Sequence, residues 1–500
     1  MLRARASVPT SQRVVMPAFQ RLFTPVEEYR LTGWLFVKLL SLIYLVAFAS
    51  LAVQISGLVG PEGILPVQEQ LDGTFDELGR AAWLWLPTLF WVLEPTDLVL
   101  QGTALSGCLL SLLLLFGGRW RRPLLILLFL LYLSLYHAGQ IFTNFQWDTL
   151  LLEAGFLSIF LLDAPSRMLI FLFEWLLFRL RFMSGFFKLA TGDPSWSGFT
   201  ALNYYFETQP IPHFGAWYFH QLPEWLLRAG VGLTFFSELV VPFFIFLPRR
   251  FRLFAVGVTL LMQLLILSSS NHNFFNLLTI VLCLFLLDDR IVGRLLPARK
   301  REALLAVEPR DSRLNHWLVG LAWLLILPAS LAGFGSYALH RPLPTVVQGY
   351  VDGVNRFGLG MVYHVFPNMQ TERQELKVEG SNDGENWQAY RYRFAPEALD
   401  QTPPFIVPHQ PRLDWMLWFV PTQRPVQMLW FGEFLRRLHE GSPSVLKLLA
   451  YNPFPEAPPL YLRVVAYQYH FTSPEERART GNWWRRDYLG LFPYIEPRRP

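Results

Sequence analysis

Charge is scarce in this chain: of 500 residues, only 16% are Asp, Glu, Lys or Arg, against about 25% in soluble domains. Cysteine is scarcer still. Cys108 and Cys283 are the only two, both inside apolar stretches, which excludes a disulfide framework and a CxxC redox pair. No Asn-x-Ser/Thr sequon occurs, so N-glycosylation is not expected. Neither GxGxxG nor a GxxxxGKS/T loop is present, which removes the two Gly-rich phosphate cradles. A net charge of +5, with no basic stripe interleaved by stacking aromatics, gives no sign of a nucleic-acid partner. His213 and His220 lie seven residues apart in a Pro- and Gly-interrupted stretch, which is not a metal spacing such as HExxH. No metal and no cofactor are expected. The first 30 residues carry Arg3, Arg5, Arg13, Arg21 and Arg30 without an apolar core, unlike a cleavable signal peptide.

Apolar residues make up 52% of the chain, with a mean hydropathy of +0.29. They fall in long runs, as in an integral membrane protein embedded in a lipid bilayer. Candidate spans cover 34–54, 98–116, 124–140, 150–162, 168–190, 225–247, 253–268, 274–287 and 316–334. The loops GGRWRR, APSR, LPRRFR and ARKRE are basic, and basic loops stay cytoplasmic. An odd count, about nine spans, places everything after about residue 340 on the far side. The fold class expected is therefore a polytopic α-helical membrane protein of about nine spans with a C-terminal extracytoplasmic β-rich (α+β) domain. Its divisions are a basic cytoplasmic segment 1–33, a transmembrane domain 34–338 and an extracytoplasmic domain 339–500.

The fifth span departs from the others because it carries Glu174, Arg179, Arg181 and Lys188. Glu174, Arg181 and Lys188 are spaced seven apart; on a helix they drift only about 20° per step and share one stripe. Gly185 on that stripe admits a close neighbour. A charge at the bilayer centre costs roughly 2.5–3.5 kcal/mol on insertion scales, so partners on other helices are required. Asp148, Glu153, Glu238, Asn271, His272 and Asn276 map near the same outer ends, and together they predict a polar cavity opening outward beneath the tail. Lys188, lowered in pKa by desolvation, is a candidate base with Glu153 or Glu238 in support. Its structural alternatives are snorkelling and pairing with either glutamate. Pro242, four residues after Glu238, is expected to kink the sixth span.

Two further regions carry motifs. The outer segment 196–225 is dense in aromatics, Trp196 and Trp217 among them, and predicts an interfacial platform for lipid or an unfolded chain. In the tail, RQELKVEGSNDGENWQAYRYRF predicts a hairpin with Trp387 behind the turn, and LYLRVVAYQYHF a second alternating strand. MLWFGEFLRRLHEG predicts a helix ending at Gly441. PHQPRLDWMLWF groups His409, Arg412 and Asp414 with Trp415; without a GxSxG elbow, capping and strand pairing are expected of it.

Taken together, WLFVKLLSLIYLVAF, GLVGPEGILP, NFQWDTLLLEAGF, FRLRFMSGFFKLATGDPSWSGFTALNYYFETQPIP, NHNFFNLLTIVLCLFLLDD, VEGSNDGENWQAY and PPLYLRVVAYQYHFT resemble the lipase maturation factor family. The resemblance implies a membrane-bound maturation factor for secreted proteins, with a lipase as client and a tail in the periplasm or lumen. Trp196, Trp217, Trp387, His409, Arg412, Asp414 and Trp415 would then hold client surface. The missing sequons and lumenal cysteines suggest a bacterial inner-membrane member; a eukaryotic one would sit in the endoplasmic reticulum. A shorter stretch, SGFFKLATGDPSW, is similar to a motif in the membrane domain of vitamin K-dependent gamma-carboxylases. That similarity implies the rival reading: a membrane enzyme acting on a lipid or quinone, with Lys188 as base.

Overall fold

The computed structural model describes residues 22–23, 25–118, 120–161, 163–307 and 312–493. Most of the basic segment expected over 1–33 lies outside them. Among the described residues, six helical stretches have the length and apolarity to cross a bilayer: Glu27–Ala52, Asp97–Phe116, Arg121–Ala138, Glu224–Phe246, Arg249–Ser269 and Arg313–Leu339. In chain order the principal helices are α1 (Arg30–Ala52), α2 (Asp97–Phe116), α3 (Arg121–Ala138), α4 (Gln146–Ser158) and α5 (Arg167–Ala190). Then come α6 (Glu224–Phe235), α7 (Arg249–Ser269), α8 (Phe275–Leu282) and α9 (Arg313–Leu339). Thr96, Ser166 and Ser312 cap α2, α5 and α9 with their hydroxyls, each accepting from a backbone N–H of the first turn.

The expected spans absent from the six long stretches are α4, α5 and α8. At 13 residues, α4 reaches about 20 Å, short of the roughly 30 Å hydrocarbon core. The apolar run Phe275–Leu286 around α8 is also short. The 24-residue α5 is long enough but too charged. All three are centrally placed: Leu150, Leu151, Leu172, Phe173, Leu278 and Phe285 are buried in one core with residues of α1. The outer helices instead expose Leu105 and Leu109 on α2, Leu261 and Leu264 on α7, and Leu321 and Leu324 on α9. Exposed leucine rows at helical spacing suit lipid contact.

Contacts at the helix ends fix how each segment runs relative to the tail. Thr32 at the start of α1 bonds Asp289, beyond α8, while Ser50 and Gln54 at its end bond the Gln410 carbonyl in the tail. The Leu114 and Leu115 carbonyls ending α2 receive Lys38, near the start of α1. His137 at the end of α3 reaches the Arg356 carbonyl on the tail side. Asp148 opens α4 against Arg412, and Phe160, just past its end, accepts from Asn315 at the start of α9. Ser166, before α5, bridges Pro25, and Thr191, after it, donates to Pro367. Arg252 at the start of α7 reaches Tyr29, and Asn271, past its end, donates to Pro404. Asn273 opens α8 on Gln410, and Asp288 beyond it pairs with Arg249. Neighbouring helices thus alternate in direction between the tail and the opposite end.

The tail holds a four-stranded antiparallel sheet in the order β2-β1-β3-β4, from β1 (Arg373–Ser381), β2 (Gln388–Ala389), β3 (Tyr461–Phe471) and β4 (Trp484–Phe492). The expected hairpin forms, with Glu379 opposite Ala389. Asp383 Oδ1 closes its turn by accepting from the Glu385 and Asn386 N–H groups. The expected helix is α11 (Pro425–His439), and Gly441 follows with φ +71°, a conformation glycine takes without strain. PHQPRLDWMLWF differs from expectation: instead of pairing as a strand it forms the short helix α10 (Arg412–Leu417). Its Asp414 bonds the Phe394 and Ala395 N–H groups rather than a helix end.

Candidate functional site

Lys188 lies on the last turn of α5, where the chain meets the tail. Its Nζ pairs with Glu238 Oε2 at 2.8 Å and donates to the Val365 carbonyl at 2.8 Å. Trp196 lies beneath it, with Nζ 5.1 Å from the ring centroid. Glu238 belongs to a π-helical turn, Phe236–Val240, followed by a 3₁₀ stretch Val241–Phe246. Pro242 lacks an N–H and breaks the regular ladder there, as its position predicts. Gly185 lets the two helices touch: a Cβ on it would lie 2.7 Å from Glu238 Cβ and 3.1 Å from the Glu238 carbonyl carbon.

Arg181, one stripe position earlier, donates to Ser237 Oγ at 2.5 Å and to the Ser237 carbonyl at 3.3 Å. Arg181, Lys188, Glu238, His272 and Asn276 line one cavity of about 380 Å³. Its other walls are mainly apolar, with Leu202, Phe206, Leu226, Leu227 and Leu265 among them. The Tyr205 hydroxyl and His272 Nε2 share a hydrogen bond of 2.8 Å at the same site.

The remaining predicted charges do not join this cavity. Glu174 pairs with Arg252 of α7 at 3.5 Å, toward the end opposite the tail. The stripe is real, but each of its members meets a different neighbour along some 20 Å of helix. Glu153 is fully buried against Arg179 and accepts the Gly360 N–H at 2.8 Å, so it does not face Lys188. Asp148 takes a bidentate pair from Arg412, at 2.6 and 2.7 Å, and a hydrogen bond from Tyr132 at 2.6 Å. Asn271 spends its side chain on the Ile211, Pro404 and Ile406 backbone. One shared wet pocket is thereby replaced by one small cavity and several separately satisfied pairs. Glu153, Glu174, Asp148 and Lys188 each meet an opposite charge on another element, as burial demands.

The residues expected to hold client surface are mostly interior. Trp196, Trp217, Arg412, Asp414 and Trp415 are buried, so as arranged they are fastenings rather than exposed contacts. Trp217 donates to the Thr472 carbonyl at 2.9 Å beneath the Arg477 guanidinium. His409 accepts from or donates to Ser50 at 2.9 Å. Trp387 and His409 are half-buried, and Arg463 covers one face of the Trp387 ring at 4.1 Å. The segment 196–225, expected to be a free platform, is held by the tail. Fully buried Arg373 of β1 donates to the Glu207 and Pro210 carbonyls at 2.9 and 3.0 Å. Glu207 accepts from the Phe471 N–H at 2.6 Å. Phe214, Tyr218 and Trp225 nonetheless stay exposed on that segment. No group of three or more His, Cys, Asp or Glu side chains able to hold a metal occurs among the described residues.

Two family models match, and between them they span nearly everything just described. The lipase maturation factor transmembrane domain matches residues 31–294, and the lipase maturation factor C-terminal domain matches 359–493. The chain belongs to the lipase maturation factor family. Lipase maturation factor 2 of Xenopus tropicalis is 34% identical over 93% of this chain and 82% of its own length. The Homo sapiens protein of that name is also 34% identical over the same shares. Lipase maturation factor 1 of Mus musculus is 32% identical over 99% of this chain and 91% of its own length. No solved structure matches. This lipase maturation factor family member is an integral membrane protein. Its named relatives are vertebrate, which lends nothing to the expectation of a bacterial inner membrane.

Sequence reasoning missed several residues that shape the site. Tyr132 and Arg373 gave no periodic signal, because each acts through one partner far along the chain. Gln263, which accepts from Asn276 at 2.6 Å, read as one polar interruption in an apolar run. Their polarity in oily or alternating stretches was visible, and their partners were not.

Proposed function

We propose that this protein is a membrane-bound maturation factor that holds partly folded secreted lipases. Membership of the family along both its membrane and tail regions carries this reading. The lipase client is taken from the relatives' names. The body of the chain supplies a place for it: a crevice of about 910 Å³ between the membrane helices and the tail. Phe145, Trp147, Phe366, Trp415, Trp418 and Phe419 line it, and Trp418 and Phe419 are only half-buried. Aromatic side chains offer large apolar contact at low entropic cost, which suits unfinished protein surface.

The tail is proposed to face the extracytoplasmic side, the lumen or periplasm, where secreted lipases fold. The basic ends of the helices, Arg249, Arg250 and Arg252 with Arg299, Lys300 and Arg301, would then lie in the cytoplasm. The divisions at about residues 33 and 338 follow from the same assignment.

In cells lacking the protein but expressing a secreted lipase, secreted activity per lipase molecule should fall, and the wild-type chain should restore it. Phe419→Ala should restore it poorly while the factor's own abundance stays normal. Full lipase activity in cells lacking the protein and any relative would overturn the reading.

A further inference from the structure

The small cavity beside Lys188 has a charge imbalance on its floor. Two cations, Arg181 and Lys188, share one carboxylate, Glu238, and that carboxylate is already paired with Lys188 at 2.8 Å. Arg181 is 5% exposed. Its protein contacts are the neutral oxygens of Ser237, and its Nε has no hydrogen-bond partner among the described residues. Asn276 Oδ1, on the same lining, is also buried without a partner. A buried cation left without a counter-charge is costly in a membrane domain.

Above this floor the walls are apolar, and Leu226 at the rim is 38% exposed. Few polar groups at one end of an apolar hollow is the usual form of a small-molecule site, and a volume of about 380 Å³ is in the range such sites occupy. We propose that the cavity binds an anionic amphiphile with one acyl chain inserted. The chain lies along Leu202, Leu226, Leu227 and Leu265, and the anionic head meets Arg181 and Lys188. The cavity adjoins the client crevice, sharing His272, Phe275, Val365 and Phe366 with it, but the proposal does not rest on the lipase reading. A carboxylate and a lipid phosphate share the required chemistry, so a free fatty acid and an anionic phospholipid are its two sources.

The full-length protein in neutral detergent, stripped of lipid, would be titrated with radiolabelled oleate and separately with phosphatidylglycerol nanodiscs. Saturable binding of either probe, displaced by the same lipid unlabelled but not by oleyl alcohol, is expected. Oleate binding assigns the site to a fatty acid; binding of phosphatidylglycerol alone assigns it to a phospholipid. Arg181→Gln should weaken binding at least about tenfold, the loss expected when one charge-assisted contact goes. Leu226→Trp, which narrows the rim without touching the charges, should weaken it too and guards against a misfolded Arg181→Gln. Equal displacement by oleyl alcohol, or unchanged binding in both variants, would overturn the proposal, as would absence of saturable binding to either probe.

Discussion

A carboxylate taken out of water resists ionisation unless donors compensate. Asp414 in the tail is 4% exposed and accepts two backbone N–H groups on one oxygen, from Phe394 at 2.7 Å and Ala395 at 3.0 Å. Burial outweighs those bonds and pushes its pKa up from 3.8 to about 6. An acid whose pKa is higher folded than unfolded contributes stability that is fully present below the unfolded value. That contribution is lost as pH rises through the folded value. The displacement amounts to roughly 3 kcal/mol, so tail stability should fall between about pH 4 and pH 6. Asp414→Asn keeps an oxygen for both N–H groups and removes the titration. Melting of the purified variant should be raised at about pH 7 and nearly level across that window. A variant that tracks wild type at each pH would place the dependence in another group.

Two glycines on different helices separate packing from propensity. Gly185 on α5 has Glu238 of the adjoining π turn against it, with 2.7 Å to a built Cβ. Gly185→Ala must therefore push α5 and α6 apart, at a cost of roughly 1–3 kcal/mol, and should loosen the Lys188–Glu238 pair. Gly73, inside the exposed helix Val67–Leu78, has nothing within 4 Å of a built Cβ. Gly73→Ala should stabilise by roughly 0.5–1 kcal/mol. Opposite shifts in melting temperature are expected, and a neutral Gly185→Ala would mean the helix contact is not tight. The seven-residue spacing on α5 made a polar stripe legible, and Gly185 was legible as a point of close approach. Glu238 was named beside Glu153 as a partner for Lys188, and packing selects it; Arg252 and Ser237 were not legible, because they are remote in sequence. The π turn was foreshadowed by Pro242. The strands of the tail were legible from alternation, whereas α10 was not: six residues flanked by prolines carry too little periodicity to distinguish a turn of helix from a strand.

At the scale of the molecule, the proposed side of the tail rests on three modest helices. Counting only the six long apolar helices would return the chain to the side where α1 begins. Contacts at the ends of α4, α5 and α8 run each of them between the tail and the opposite end; the proposed topology takes them as three further crossings, for an odd number. Short helices can serve there because they are enclosed by others and little of them faces lipid, and α5 can carry charge because Glu153, Ser237 and Glu238 meet it. The proposed topology then separates two exposed positions. Glu385 lies in the hairpin turn and Arg299 in the short helix Ala298–Leu305 near α1. In a background of Cys108→Ala and Cys283→Ala, Glu385→Cys should react with a membrane-impermeant maleimide from the extracytoplasmic face of sealed membranes. Arg299→Cys should react only after they are opened. Labelling of both positions only after the membranes are opened would make the number of crossings even and move the client crevice into the cytoplasm, away from any secreted lipase.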